Sequence, residues 1–127
     1  MKRIFAIAAA ACLLFGCSAK GGTDTAAYRQ ISQEKAKEMM SEGGVLVLDV
    51  RSQEEYDSGH IPGAVLLPVE TITAETAAAV ISDRSEIILV YCRSGNRSKT
   101  AAAALVKLGY ENIYEFGGIN TWPYEVE

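Results

Sequence analysis

Cys92 is the residue in this sequence best placed to do chemistry. It opens the segment CRSGNRS at 92–98, which follows an apolar run at 87–91 and precedes an alanine-rich stretch. A cysteine between a predicted strand and a predicted helix becomes nucleophilic when backbone N–H groups, nearby cations and the helix dipole stabilise its thiolate. A buried, inert cysteine is the alternative. Because the residues after Cys92 are polar, we favour a reactive, partly exposed thiol.

The residues that follow Cys92 predict a loop that attracts anions. Gly95 allows the tight curl of the chain because it has no Cβ, and a curl of this kind directs successive N–H groups inward. Arg93, Arg97 and Lys99 add three positive charges to an acidic chain. Recruitment of an anionic substrate explains Arg93 and Arg97. A charge run that simply faces solvent is the alternative, and it stays open for Lys99.

An alternation of strand and helix patterns must position this loop. Apolar runs predict strands, and residues capped by Ser32, by the Ser52–Glu55 capping box and by glycine stops predict helices. The predicted strands lie at Ile31, 45–50, 64–67, 86–91 and 112–116, and the predicted helices at 32–41, 53–57, 73–81 and 98–108. This order favours an α/β fold with a five-stranded, mainly parallel sheet covered by helices on both faces. In such a sheet ligands bind at the carboxyl ends of the strands, where Cys92 is expected.

A targeting segment precedes the predicted domain. Lys2 and Arg3 are followed by an apolar stretch at 4–15 that is too short for a permanent membrane span. The sequence LLFGC at 13–17 resembles the lipobox of bacterial lipoproteins, although Phe15 departs from the small residue usually found there. This resemblance implies a signal peptide at 1–16 and a lipidated Cys17. Residues 18–27 are small and polar, which predicts a flexible tether at 17–27 and a folded domain at 28–127. An ordinary secretory peptide is the alternative.

Removal of residues 1–16 would change the charge and the number of thiols. The chain has 127 residues, 12 basic and 16 acidic residues, and a net charge of −4. Loss of Lys2 and Arg3 leaves ten basic residues against sixteen acidic ones, a net charge of −6 that excludes a typical nucleic-acid binder. Cys12 is removed and Cys17 is acylated, so Cys92 stays as a free thiol. With only His60 beside it, no metal site or cofactor is expected.

Three segments in the expected order resemble single-domain rhodaneses, a family of sulfurtransferases. They read DVRSQEEYDSGHIPGA at 49–64, CRSGNRS at 92–98 and GGINTW at 117–122, so the match spans about 31–122. The resemblance implies a ping-pong reaction in which the thiolate takes a sulfane sulfur from a donor, forms a persulfide and passes the sulfur to an acceptor. It also implies that Cys92 is the nucleophile and that the substrate-binding loop consists of Arg93, Ser94, Gly95, Asn96, Arg97 and Ser98.

Three further polar residues are predicted to support the site. Asp49 and Arg51 suit a hydrogen-bond network that pins the turn at 59–63 and the Cys92 loop, while direct substrate contact is the alternative. His60 is the single histidine, and a structural role in this turn is favoured over a catalytic base. The residues at 54–56, Glu55 included, are interpreted as a helix face. Trp122 is interpreted as a core residue, with a limit on substrate size as the alternative.

Together the two resemblances imply an exported, membrane-anchored sulfurtransferase of the periplasmic or extracytoplasmic face. It would take sulfur from a small anionic donor such as thiosulfate and pass it to a thiol or to cyanide. A sulfur carrier or partner-binding module without turnover is the main alternative. A cysteine-dependent phosphatase or arsenate reductase fits less well, because phosphatases with a similar loop place arginine six residues after the cysteine and Arg97 is five after Cys92. The donor, the acceptor, the cell type and the oligomeric state stay open.

Overall fold

The computed structural model describes residues 28–127. The predictions for the signal peptide at 1–16, the lipidation of Cys17 and the tether at 17–27 fall outside these residues. The strands are β1 Arg29–Gln30, β2 Val45–Asp49, β3 Val65–Leu66, β4 Ile87–Cys92 and β5 Asn112–Gly118. The helices are α1 Gln33–Glu42, α2 Gln53–Asp57, α3 Ala74–Val80 and α4 Asn96–Lys107, and 3-10 turns lie at Val69–Thr71 and Ile119–Thr121.

All five strands are parallel and form one sheet in the order β1-β5-β4-β2-β3. β4 lies at the centre between β2 and β5, and the two edge strands are only two residues long. The predicted five-stranded parallel sheet is confirmed. Its central strand is apolar throughout, because both of its faces are covered.

Two apolar layers cover the sheet, one on each face. Alternate residues of β4 point to opposite faces, so Val90 and Cys92 join one layer and Tyr91 the other. The first layer contains Ala77 of α3 and Leu105 of α4, and the second is closed by α1. Other buried members of the first layer are Leu48, Val50, Leu67, Ile81, Ile88, Ala101, Ala102, Tyr110 and Ile113. The predicted placement of helices on both faces is confirmed.

The caps at the start of α1 and α2 match the sequence patterns. Ser32 accepts from the Lys35 amide at the start of α1, and Gly43 ends this helix. Ser52 and Glu55 form the predicted capping box of α2. Each cap satisfies backbone groups that the first turn of a helix leaves unpaired. The predicted boundaries of these helices therefore hold to within one residue.

Three predicted boundaries are wrong by two residues. β1 lies at Arg29–Gln30, and Ile31 only extends the pairing through its amide, which donates to the Glu115 carbonyl at 3.0 Å. α4 begins at Asn96, two residues before the predicted start at 98, because Gly95 adopts φ 104° and lets the chain enter the helix earlier. β5 continues to Gly118, two residues beyond the predicted 116. The last two differences both shape the surroundings of Cys92.

Candidate active site

Cys92 is the last residue of the central strand β4 and lies against α4. Its sulfur accepts a hydrogen bond from the Gly95 amide at 3.0 Å and lies 3.5 Å from the Ser98 hydroxyl. The residue is 1% exposed, so the expectation of a partly exposed thiol is wrong. The reason is positional: the end of β4 faces the core layer below α4, and the following loop folds over the sulfur.

The loop after Cys92 is shorter than the sequence predicted. The chain turns within three residues, 93–95, while Asn96, Arg97 and Ser98 already form the first turn of α4. The N–H groups of a first helical turn have no partners within the helix, and they carry the positive end of its dipole. The sulfur therefore sits at the N-terminus of a twelve-residue helix, which favours negative charge there.

Opposing influences set the pKa of Cys92. Burial raises the pKa because it penalises the charged thiolate, whereas hydrogen bonds from the backbone amides of Ser98, Gly95 and Ser94 lower it. The hydrogen bonds dominate, and the pKa of Cys92 falls below that of an ordinary thiol. A lowered pKa increases the fraction of thiolate, which is the nucleophilic form.

The cations of the loop differ in their availability. Arg97 forms a two-pronged ion pair with Glu55, with Nη1–Oε1 at 2.8 Å and Nη2–Oε2 at 3.0 Å. Glu55 lies on the face of α2 and in its capping box as predicted, and its pairing with Arg97 is a further role that the sequence did not indicate. Arg93 and Lys99 are exposed and form no ion pair within residues 28–127. Arg93 is thus the loop cation that is available to an approaching anion.

Ser98 connects Cys92 to a buried carboxylate that the sequence analysis missed. Glu115 of β5 is 2% exposed, and its Oε2 accepts from the Ser98 hydroxyl and from the Gly117 amide at 2.9 Å. Gln30 donates to its other oxygen at 3.2 Å. The signal was present in the sequence, since Glu115 is two residues after the buried Ile113 and strand side chains alternate between faces.

A bulge in β5 brings the backbone of that strand close to the Cys92 loop. Val90 pairs with Glu115 but Cys92 pairs with Gly118, so β5 contains one extra residue, and Gly117 has φ 93°. Gly118 lies so close to the loop that a Cβ on it would overlap the Arg93 carbonyl and the Ser94 amide. A glycine at 118 is therefore required for the loop to keep this position.

Asp49 and Arg51 form a buried network with Tyr91. Arg51 donates to Asp49 through Nε at 2.9 Å and Nη2 at 2.6 Å, and its Nη2 also donates to the Gly59 carbonyl at 2.7 Å. The Tyr91 hydroxyl donates to Asp49 at 2.6 Å and accepts from the Ile61 amide at 3.0 Å. Burial and the bond to Asp49 raise the pKa of Tyr91, which keeps the hydroxyl protonated. This network holds the turn at 59–63 against the strand that ends at Cys92.

The rings of His60 and Trp122 both pack against neighbouring side chains. The His60 ring stacks on Tyr56 at 3.8 Å between centroids, and its Nδ1 lies 3.0 Å from the Tyr56 carbonyl. Its Nε2 lies 3.4 Å from a carboxylate oxygen of Glu127. Trp122 packs against Phe116 at 5.5 Å, in the core layer on the side opposite Cys92. These contacts suit structural roles for both residues.

A shallow depression opens beside the loop. It has a volume of about 330 Å³ and is lined by Arg51, Glu55, Ser58, Arg93, Ile119 and Asn120. The Asn120 amide donates to the Arg93 carbonyl at 3.1 Å and so joins the loop to the rim. Within residues 28–127, no cluster of three or more potential metal ligands occurs and no helix is long and apolar enough to cross a membrane. The depression therefore places the cation Arg93 beside the loop that covers the Cys92 sulfur.

A parallel five-stranded sheet with a cysteine loop at the N-terminus of a helix is the arrangement of the rhodanese fold, and comparisons with known proteins agree. The model of the rhodanese-like domain family matches residues 32–124. The chain belongs to this family.

Named relatives include sulfurtransferases and a carrier. The thiosulfate sulfurtransferase GlpE of Coxiella burnetii is 33% identical over 96 residues, which cover 75% of this chain and 87% of that protein. YrkF of Bacillus subtilis, a proposed sulfur carrier protein, is 34% identical over 100 residues, which cover 77% of this chain and 52% of YrkF. The solution structure of the rhodanese-like domain of Alr3790 from Anabaena sp. superposes with a TM-score of 0.70 at 27% identity and covers 77% of each chain.

Proposed function

We propose that this protein is a sulfurtransferase that moves sulfane sulfur through a persulfide on Cys92. The observation that carries the proposal is the position of the Cys92 sulfur, which accepts from the Gly95 amide at 3.0 Å at the N-terminus of α4. This setting stabilises a negative sulfur without a metal or a separate base. Family membership and the GlpE relatives support the same class of reaction.

In the first half-reaction the Cys92 thiolate attacks the outer sulfur of a donor such as thiosulfate. A new S–S bond forms on Cys92, the S–S bond of thiosulfate breaks, and its electron pair leaves with sulfite. The terminal sulfur of the persulfide then carries the negative charge toward the amide donors of 93–98. In the second half-reaction cyanide or a thiolate attacks that sulfur, and the Cys92 thiolate is released.

The loop geometry favours sulfur over a phosphoryl group. The turn of three residues at 93–95 is narrow, and Arg97 is held by Glu55. A cysteine-dependent phosphatase directs its loop arginine to the phosphate oxygens, and here that arginine has another partner. The phosphatase and arsenate reductase alternatives are therefore less well supported.

Turnover with thiosulfate and cyanide tests the proposal. The full chain should form thiocyanate, and Cys92→Ala should reduce this activity to the background rate. Ser18→Ala, a change outside the predicted domain, serves as the matched control and should leave the rate unchanged. Thiocyanate formation that persists in Cys92→Ala would contradict the proposal.

A sulfur carrier is the second candidate, and the similarity to YrkF supports it. A carrier would accept sulfur on Cys92 but release it only to a partner protein. Intact-mass measurement after incubation with a sulfane donor separates the two: a Cys92 persulfide without thiocyanate formation identifies a carrier. A chain that forms neither product contradicts both candidates.

We propose further that the protein is exported and anchored in a membrane through lipid on Cys17. The support comes from the sequence alone, namely the basic residues 2–3, the apolar stretch 4–15 and the lipobox-like LLFGC. Metabolic labelling with a fatty-acid analogue should mark the chain, and Cys17→Ser should abolish the label and release the protein from the membrane fraction. Labelling that persists in Cys17→Ser would contradict the anchor.

A further inference from the structure

Glu115 is a buried carboxylate that the sulfur transfer described so far does not use. It accepts hydrogen bonds from Gln30, from the Gly117 amide and from the Ser98 hydroxyl. It forms no ion pair with any Lys, Arg or His of residues 28–127. Burial of a carboxylate without a cation costs folding free energy. This carboxylate also lies near Cys92, which must itself become negative to react. This arrangement calls for a functional explanation.

Ser98 has one hydroxyl proton and two acceptors that compete for it. Its oxygen lies within hydrogen-bond distance of the Glu115 carboxylate and 3.5 Å from the Cys92 sulfur. A hydroxyl donates one hydrogen bond, and an ionised carboxylate is a stronger acceptor than a neutral thiol. While Glu115 is ionised, Ser98 therefore donates to Glu115 and presents a lone pair to Cys92. A lone pair at this position accepts from the S–H group and favours the protonated thiol.

We propose that Glu115 opposes ionisation of Cys92 through the Ser98 hydroxyl. In this arrangement Glu115 is a positioning residue: it draws the Ser98 proton away from the sulfur, so the Ser98 oxygen accepts from the S–H group and favours the protonated thiol. The inference rests on the proposed function only in taking Cys92 as the nucleophile. It assigns Glu115 and Ser98 a part in controlling when that nucleophile becomes charged.

The other charged groups described at this site do not offset the effect of Glu115 on Cys92. The Arg97 guanidinium of α4 is the cation that interacts with Cys92, and Glu55 of α2 neutralises it. β1 presents the uncharged Gln30, and the loop presents amides to the sulfur. The loop amides favour the thiolate, and Glu115 is the group that opposes it.

The pH midpoint of thiolate formation at Cys92 tests the inference. The full chain with Cys12→Ser and Cys17→Ser leaves Cys92 as the single thiol, and alkylation by iodoacetamide across a pH series reports its thiolate. Glu115→Gln should lower the midpoint by at least about one pH unit, because the competing charge is lost. Glu111→Gln removes an exposed carboxylate at the start of β5 and should leave the midpoint unchanged. A midpoint that is unchanged or raised in Glu115→Gln would overturn the inference.

A second pair of variants tests the link through Ser98. In the Glu115→Gln background the Ser98 hydroxyl is free to donate to the thiolate, so adding Ser98→Ala should raise the midpoint. With Glu115 present, Ser98 donates to the carboxylate, and Ser98→Ala should not produce the same rise. Equal shifts in the two backgrounds would show that Ser98 does not connect the two acids.

A third measurement keeps Glu115 in place and therefore tests the inference even if Glu115→Gln fails to fold. The carboxyl ¹³C resonance of Glu115 should shift through the pH range in which Cys92 ionises, and Cys92→Ser should remove this shift. A resonance that does not respond to Cys92 ionisation would overturn the coupling of Glu115 to Cys92. None of these readouts uses a sulfur donor. If these readouts match the expectations but no thiocyanate forms, the proposed function alone is contradicted.

Discussion

Glu55 and Arg97 form an ion pair that joins two helices at the active-site loop. Both oxygens of Glu55 accept from the guanidinium, at 2.8 Å and 3.0 Å. The same carboxylate accepts from the Ser52 amide at 3.1 Å and closes the capping box of α2. One side chain thus caps the N-terminus of α2 and holds the first turn of α4, which directly follows the Cys92 loop.

Glu55→Gln should lower stability in a pH-dependent way. The hydrogen bond from Arg97 lowers the pKa of Glu55 to about 2, from 4.5 for a free glutamate. A lowered pKa in the folded state contributes stability that is present above pH 4.5 and is lost as the pH falls toward 2. Because the pair is partly exposed, we expect a loss of about 1 kcal/mol at neutral pH. Chemical denaturation at several pH values measures the difference.

The matched control for that experiment is Glu38→Gln. Glu38 pairs with Lys35 on the exposed face of α1 at 3.1 Å and closes no capping box. Glu38→Gln should lower the free energy of unfolding by less than Glu55→Gln does at neutral pH. A Glu55→Gln deficit that stays constant down to pH 2 would contradict the assigned role of the ion pair.

Gly118→Ala should disable the loop by steric overlap. The backbone of Gly118 has ordinary strand angles, φ −137° and ψ 157°, so alanine brings no conformational strain of its own. Its methyl group would overlap the Arg93 carbonyl and the Ser94 amide and push the loop away from Cys92. We expect stability to fall by about 1–3 kcal/mol and thiocyanate formation to fall by more than tenfold. Steady-state kinetics and thermal unfolding measure both quantities.

Gly43→Ala separates a local effect from general destabilisation. Gly43 has φ 83° at the end of α1, and nothing lies within 4 Å of a Cβ placed there. Because Gly43 has φ 83° and ψ 179°, alanine should lower the free energy of unfolding by about 1–3 kcal/mol through backbone strain, while sulfur transfer by the folded protein continues. If both glycine variants lost activity in proportion to stability, the loop explanation would be wrong.

Tyr91→Phe should destabilise the turn at 59–63. The change removes the hydroxyl that donates to Asp49 at 2.6 Å and accepts from the Ile61 amide at 3.0 Å. It leaves a buried amide without its partner, for which we expect a cost of about 1–3 kcal/mol. Asp49→Asn should cost more, about 3–5 kcal/mol, because it leaves the buried Arg51 without its counter-charge. The reverse order of these two losses would contradict the network.

Arg93→Ala should weaken the binding of thiosulfate while sparing the chemical step. Arg93 is exposed at the depression beside the loop, and its charge attracts an anionic donor. We expect KM to rise by about fivefold at low salt, with a smaller difference at high salt where the charge is screened. Lys99→Ala removes an exposed charge on α4, outside the residues that line the depression, and should change KM less. Equal effects of both changes would indicate a general influence of net charge.

Much of the fold is predictable from local sequence signals. The apolar run of β4, the capping residues Ser32 and Ser52 and the glycines after α1 and α4 act within a few residues of themselves. Such signals determine where helices and strands lie, and parallel packing follows from their alternation. The start of α4 was missed because Gly95 takes a left-handed conformation that the pattern of apolar residues does not reveal.

The partners of the polar residues were harder to predict. Glu55 and Arg97 are 42 residues apart, and Ser98 and Glu115 are 17 apart. The pairing of such residues depends on sheet register, and the bulge in β5 changes this register beside Cys92. Sequence spacing within the loop led to Cys92 and Gly95. It gave no sign that Glu55 would hold Arg97, because that contact exists only after the sheet is assembled.

The two strands at the margins of the sheet, β1 and β3, each contain two residues. An edge of this length exposes few unpaired N–H and C=O groups to another chain. The longer and more apolar strands β2, β4 and β5 lie inside these margins. Native molecules therefore present little template for strand addition, and aggregation through the sheet would require β1 or β3 to detach first.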